Sequence, residues 1–247
     1  MNILLYVALF LIGVIVGNFW QRAIYRIPRN ISLIKKGVTN IEPEYKSKYW
    51  KKILQIFYAL LGGILFVIFG KLLGININGF KLSSAIMYLF TILYLTTLVI
   101  IAGIDKKYVN IEKKVSTSGI IVSIIYIVYL NTIDPSSIYF NTMCLAIYMI
   151  LLMIDTIFLR KYAKNSYTIG VLMLFNIILV FSEVDILAYT IAITAIEILI
   201  YLLILKINQK RNGNKKIKID RIPVGYFVSA SNIIVLLVFA IMQSIRN

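Results

Sequence analysis

The sequence predicts an all-α, polytopic membrane protein of about eight transmembrane helices, and three observations lead there. The first is composition. Of the 247 residues 60% are hydrophobic and 15% charged, where a soluble domain has roughly half and a quarter. The second is run length: apolar stretches long enough to cross a bilayer recur from end to end, so no large soluble domain can be cut out of the chain. The third is charge placement. The 26 Lys and Arg outnumber the 10 Asp and Glu, for a net charge of +16, and they fall in short segments between the apolar runs. Cations distributed in this way orient a membrane protein; a nucleic-acid-binding domain would gather them on one soluble face. Membrane lipid is therefore an expected partner and nucleic acid is not.

The predicted spans, forming one integral membrane domain over 1–247, are about 3–22, 53–73, 84–104, 117–133, 138–159, 167–181, 186–205 and 224–245. The first apolar run, Ile3 to Trp20, has no basic segment before it and is followed by Arg22, Arg26 and Arg29. That pattern is expected of a retained helix and not of a signal peptide. Gly13 and Gly17, four residues apart on it, are the kind of small-residue pair that lets two membrane helices approach closely. The loops 30–52, 106–116, 160–166 and 206–221 are basic. The intervening connections carry Lys81 and otherwise mostly acids, among them Asp134, Glu183 and Asp185. The positive-inside rule then puts the four basic loops in the cytoplasm and both termini outside; the membrane is expected to be the plasma membrane.

Elimination narrows the chemistry. There is no histidine, and the single cysteine, Cys144, lies inside an apolar run. Ser-His and Cys-His nucleophile pairs, histidine-ligated zinc and thiolate clusters are excluded, and no metal or other cofactor is expected. Hydrolysis by this chain has to use carboxylates, lysine or hydroxyls. Asp105 draws attention first, because it ends a long apolar run from Ile86 and is followed by Lys106, Lys107, Lys113 and Lys114. An ionisable group at the bilayer edge is a functional candidate; the plainer reading is an aspartate that ends a helix and pairs with a neighbouring lysine. Glu197, near the middle of the seventh span, is expected to be kept neutral or hydrogen-bonded to Asn176 or a threonine, with a transport pathway as the weaker alternative.

Three stretches in order resemble the type IV prepilin peptidases, a family of integral membrane aspartic proteases. Gly13-x-x-x-Gly17-Asn18-Phe19, running into Tyr25-Arg26-Ile27-Pro28, is similar to the family's opening motif. Ile104-Asp105 with Ile111, Lys114, Val115 and Ser116 resembles its first catalytic segment, and Ile222-Pro223-Val224-Gly225-Tyr226-Phe227 its closing one. The resemblance implies eight helices with an active site at the cytoplasmic face, where a leader is cleaved from prepilin or pseudopilin precursors. It implies that Asp105 is a catalytic aspartate, and it points to Gly13, Gly17, Arg26, Pro28, Pro223 and Gly225 as residues of substrate binding or helix packing. The chain departs from the family in three places. The first cytoplasmic loop has no cysteine pairs, which puts the methyltransferase activity of some members in doubt, and Glu112 stands where proline is usual. The second aspartate, expected at the start of the sixth span, is missing: the matching stretch, Lys164 to Gly170, has no carboxylate, and Thr168 is the nearest match.

An aspartic protease needs two carboxyl groups, so depth is used to look for the second. Asp155 lies five residues before Arg160 in the fifth span, roughly 7–8 Å inside its cytoplasmic end and at a depth similar to that of Asp105. It is the candidate second carboxylate, against a local pairing with a basic residue at the helix end. Glu112 is on the expected side too, but in a lysine-rich loop where it would stay solvated. The rival to a protease is a degenerate relative that binds pilin-like helices without cutting them.

Overall fold

The computed structural model describes residues 2–31, 33, 48–75, 81–133, 150, 166–182, 184–211 and 222–246. The described residues form seven α-helices and one short 3₁₀ turn. They are α1 (Asn2–Arg26), α2 (Lys48–Leu72), α3 (Leu82–Tyr108), α4 (Lys113–Ile133), α5 (Ser166–Phe181), α6 (Val184–Arg211) and α7 (Val224–Arg246), with the turn at Ile27–Arg29. Six helical segments are long and apolar enough to cross a membrane: Ile3–Arg29, Lys52–Leu72, Leu82–Tyr108, Lys113–Ile133, Asp185–Ile207 and Val224–Met242. Tyr167–Phe181 is apolar but shorter. The chain is thus all-α and polytopic in character. Of the predicted fifth span, 138–159, only Ile150 is described.

Several boundaries move outward from the hydropathy reading. The third predicted span stops at 104, but α3 continues to Tyr108; the fourth begins at 117, but α4 starts at Lys113. The predicted loop 106–116 shrinks accordingly to 109–112, and residues 206–211 of the last basic loop belong to α6. The physical reason is that hydropathy marks the hydrocarbon slab, whereas backbone hydrogen bonding continues past it. Lysine, glutamine and arginine are good helix formers, and their long stems lie along apolar surface while the charge stays in water.

The chain divides into two compact units, Met1–Thr96 with Phe239–Asn247, and Thr97–Val238. In the first unit α1 and α2 pack backbone to backbone. A Cβ added at Gly13 would lie 2.5 Å from the Gly62 carbonyl oxygen, and one at Gly17 would collide with the Tyr58 carbonyl. With little else between them, the helices gain dispersion contacts that lipid tails cannot match. Trp20 donates its indole N–H to Thr96 Oγ1 at 3.0 Å, and Tyr88 its hydroxyl to the Phe66 carbonyl at 2.9 Å. Helix α1 ends in the 3₁₀ turn that contains Pro28. Asn30 takes a left-handed conformation there (φ 55°), so that the Ile31 N–H reaches the Arg26 carbonyl at 3.1 Å. Arg26 Nη1 donates to the Leu33 carbonyl at 3.1 Å, and the Arg29 guanidinium lies 4.0 Å from the centre of the Tyr25 ring.

In the second unit, small residues and aromatic pairs bring the helices together. Gly119 of α4 leaves room for Ile177 of α5 and Thr97 of α3. Tyr126 stacks on Phe181 with ring centres 4.6 Å apart, and Tyr201 of α6 meets Phe227 of α7 at 5.4 Å. Polar groups join α7 to α6 and to the segment before it. Asn232 donates to Thr190 Oγ1 of α6 at 3.1 Å and to Ser182 Oγ, between α5 and α6, at 3.3 Å, and Ser231 donates to Glu197 Oε2 at 3.1 Å. The partner of Glu197 is therefore a serine of α7; the expected Asn176 or threonine is not its partner.

Candidate functional site at the end of α3

The site begins with how α3 stops. Ile104 and Asp105 are fully buried in its last turn, while Lys106 and Lys107 are exposed. Asp105 stands at the end of α3, where the sequence put it, but its hydrogen-bond partners are Tyr167 and Tyr226 of other helices, not the neighbouring lysine offered as its partner. The Val109 N–H closes the helix on the Asp105 carbonyl at 2.8 Å, and Val109 itself adopts a left-handed backbone (φ 49°). That conformation is costly for a β-branched residue, so surrounding contacts have to hold it.

The turn after Val109 sends Ile111 inward, to 3% exposure. Two glycines receive it. A Cβ on Gly170 of α5 would lie 2.7 Å from Ile111 Cβ, and one on Gly225 of α7 would lie 2.7 Å from Ile111 Cδ1 and 3.0 Å from Asp105 Oδ2. Ile111 thus gathers the first turns of α5 and α7 beside the last turn of α3. The chain then enters α4, where the Glu112 carbonyl accepts from the Val115 and Ser116 N–H groups at 3.0 and 3.1 Å. The Glu112 carboxylate accepts from the Asn110 side chain at 2.8 Å. Glu112 is half-buried and takes this bond from its own loop.

A helix start leaves backbone N–H groups without partners inside the helix. At the start of α7 two of them find partners on other helices. Tyr226 N–H donates to Asp105 Oδ2 at 2.9 Å, and Val224 N–H to the Tyr167 hydroxyl oxygen at 2.8 Å. The Tyr167 hydroxyl has two acceptors in reach, Asp105 Oδ2 at 3.0 Å and the Ile222 carbonyl at 3.1 Å. Pro223 is buried just ahead of this first turn, and Gly225 admits the carboxylate to the backbone, since any side chain would meet Oδ2. Lys106 Nζ lies 4.8 Å from the centre of the Tyr226 ring, which leans the exposed cation over the same turn. Asp105 Oδ1 differs from its twin: it is buried and has no hydrogen-bond partner among the described residues.

Of the residues singled out from sequence, Asp105, Pro223 and Gly225 come together here. Gly13, Gly17, Arg26 and Pro28 lie in the first unit, in the helix contact and turn described above. Asp155 lies outside the described residues. Thr168, the nearest match to the missing aspartate, is exposed; the side chain of α5 that reaches Asp105 is Tyr167, one residue earlier. Sequence reasoning missed Tyr167 because nothing sets it apart among 17 tyrosines. Its adjacency to the expected position was the only available signal.

Chemically, the arrangement offers one buried carboxyl group with one oxygen anchored and the other without a partner among the described residues. The described residues contain no group of three or more His, Cys, Asp or Glu suited to a metal ion. Neither a protein-family model, nor a curated protein, nor a solved structure matches the chain.

Proposed function

We propose that this chain is a membrane aspartic endopeptidase of the prepilin-peptidase type, cleaving pilin-like precursors at the cytoplasmic face of a bacterial plasma membrane. The observation that carries the reading is the Asp105 carboxyl group, fully buried near the end of a candidate span with Oδ1 lacking a partner among the described residues. A buried polar atom left unmatched costs stability and calls for an explanation, and a role in chemistry is one. Position in the fold adds support: the last turn of α3 and the first turn of α7, which carry two of the segments that resemble the family, meet at this group, and the first turn of α5 joins them through Tyr167.

In this proposal Asp155 supplies the second carboxyl group. Two carboxyls that share one proton divide the work. The ionised one accepts a proton from water as the water oxygen bonds to the scissile carbonyl carbon. The other gives its proton to the carbonyl oxygen as the π pair moves there; then the first returns its new proton to the amine nitrogen, the second takes a proton back from a diol hydroxyl, C=O re-forms and the C–N bond breaks. The proposal includes eight spans, with 138–159 as the fifth, and both termini outside. Cysteine labelling at Ser136 and Asn212, in a Cys144→Ser background, should then occur from opposite sides of the membrane. Labelling of both from one side would overturn the topology.

One observation favours a second reading, a non-cutting relative that binds pilin-like helices or assembly components: Asp105 Oδ2 already holds the start of α7, a structural duty. A cell-free assay with a prepilin and mass measurement of the product separates the two. A product shortened by its leader, lost in Asp105→Asn and Asp155→Asn, is expected; an uncut precursor in the presence of folded protein would leave the binding reading.

A further inference from the structure

The Tyr167 hydroxyl carries one proton and sits among three groups. It accepts from Val224 N–H at 2.8 Å, so its proton is directed to Asp105 Oδ2 at 3.0 Å or to the Ile222 carbonyl at 3.1 Å. Oδ2 receives a second donor, Tyr226 N–H, at 2.9 Å. With both donors in place, the in-plane lone pairs of Oδ2 are occupied. Oδ1 is buried with no partner among the described residues. The two oxygens of one carboxyl group are thus made unequal by residues of two other helices.

We infer that Tyr167 is the positioning residue of Asp105: it locks Oδ2 to the starts of α5 and α7, and so makes Oδ1 the oxygen that exchanges a proton during the reaction. The inference rests on the protease reading for the reaction and on the hydrogen bonds above for the geometry. It assigns to α5 a role that the missing carboxylate left vacant. In this chain the helix contributes a neutral phenol, which orients the first aspartate and does not replace the second. The phenol has a property suited to this place: when a proton resides on the carboxyl group, the Tyr167 hydroxyl can turn to the Ile222 carbonyl and still accept from Val224. Its bond to α7 therefore survives either state of Asp105.

The test uses the full chain, purified in detergent and returned to lipid, with three variants. Tyr167→Phe keeps the ring and removes the hydroxyl. Thr168→Ala alters the exposed neighbour and serves as the control. Asp105→Asn identifies the infrared C=O bands that belong to Asp105, since those bands vanish in it. In Tyr167→Phe the Asp105 bands should shift, and in Thr168→Ala they should not. For prepilin cleavage, Tyr167→Phe should lower kcat about tenfold to a hundredfold with KM unchanged, the expected cost of a mis-aimed reacting group. Asp105 bands that stay in place in Tyr167→Phe would overturn the inference, whether or not the protein cuts prepilin. So would a wild-type kcat in that variant. If the wild type does not cut prepilin while the bands shift, the protease reading fails and the orienting role of Tyr167 stands. Should Tyr167→Phe not fold, 3-fluorotyrosine introduced at position 167 by codon suppression makes the phenol more acidic at nearly constant shape. A shift of the Asp105 bands opposite in sign to that of Tyr167→Phe is expected there, because the donor is strengthened and not lost, and its absence has the same overturning force.

Discussion

The second unit buries polar groups between helices in two regions, and they are built differently. Along the α6–α7 seam, Asn232 gives both amide protons to hydroxyls, Ser231 gives its own to Glu197, and Thr190 and Thr194 bond back to carbonyls of α6 at 2.7 Å. At the α3–α5–α7 junction the donors come mainly from the start of a helix, and one carboxyl oxygen has no partner among the described residues. The seam is what interhelical hydrogen bonding in an apolar setting looks like when its task is to hold helices together. The junction also holds helices together, yet it keeps an acceptor in reserve. Among the described residues Tyr108 and Ser229 also bury a hydroxyl oxygen without a partner, but a carboxyl oxygen costs more to leave so, and that marks the junction as a site.

Substitutions should therefore separate stability from activity in opposite ways in the two regions. The largest effect on activity is expected from Asp105→Asn, which should reduce prepilin cleavage to background. The asparagine keeps a carbonyl oxygen for Tyr226 and Tyr167, so the change in thermal unfolding should be small beside the change in rate. Retained cleavage would remove the site from the junction altogether. Gly225→Ala comes next. The added Cβ would lie 2.7 Å from Ile111 Cδ1 and 3.0 Å from Asp105 Oδ2, so the carboxyl group or the helix start has to shift. A rate loss of about tenfold or more is expected, read in single-turnover cleavage. Asn232→Leu should do the reverse. It removes two hydrogen bonds worth about 0.6 kcal/mol each, so unfolding in detergent should become easier by roughly 1 kcal/mol while cleavage per folded molecule stays the same. The smallest effect is expected from Glu197→Gln, which can still accept from Ser231 and should change stability by about 0.5 kcal/mol or less with no change in cleavage. A strong activity loss in Glu197→Gln would erase the distinction between the two regions and revive a transport pathway through the seam.

The first unit offers a second contrast, between polar and backbone contact. Gly13 and Gly17 meet α2 at Gly62 and Tyr58 with no room for a Cβ, so this helix pair is held by shape. Gly17→Leu should sharply lower the yield of folded protein, measured by monodisperse elution in detergent, through overpacking that a membrane helix pair cannot relax without separating.

Composition and run length by themselves determined that the chain is all-α and polytopic, because a bilayer demands long apolar stretches with every backbone group satisfied within the segment. Sequence also determined that Asp105, Pro223 and Gly225 were worth watching, and that Gly13 and Gly17 suit a close helix contact. Local patterning could not determine where helices end beyond the hydrocarbon, since Lys106, Lys107 and Lys113 continue a helix as readily as they end one. Nor could it determine what surrounds Asp105. Its partners, Tyr167 and Tyr226, are 62 and 121 residues away along the chain, and no periodicity links positions at such separations. The choice of Tyr167 over Thr168 was settled by tertiary structure alone. Adjacent residues on a helix point about 100° apart, and only the packing of α5 against Ile111, through Gly170, decided which of the two hydroxyls turned toward the carboxyl group.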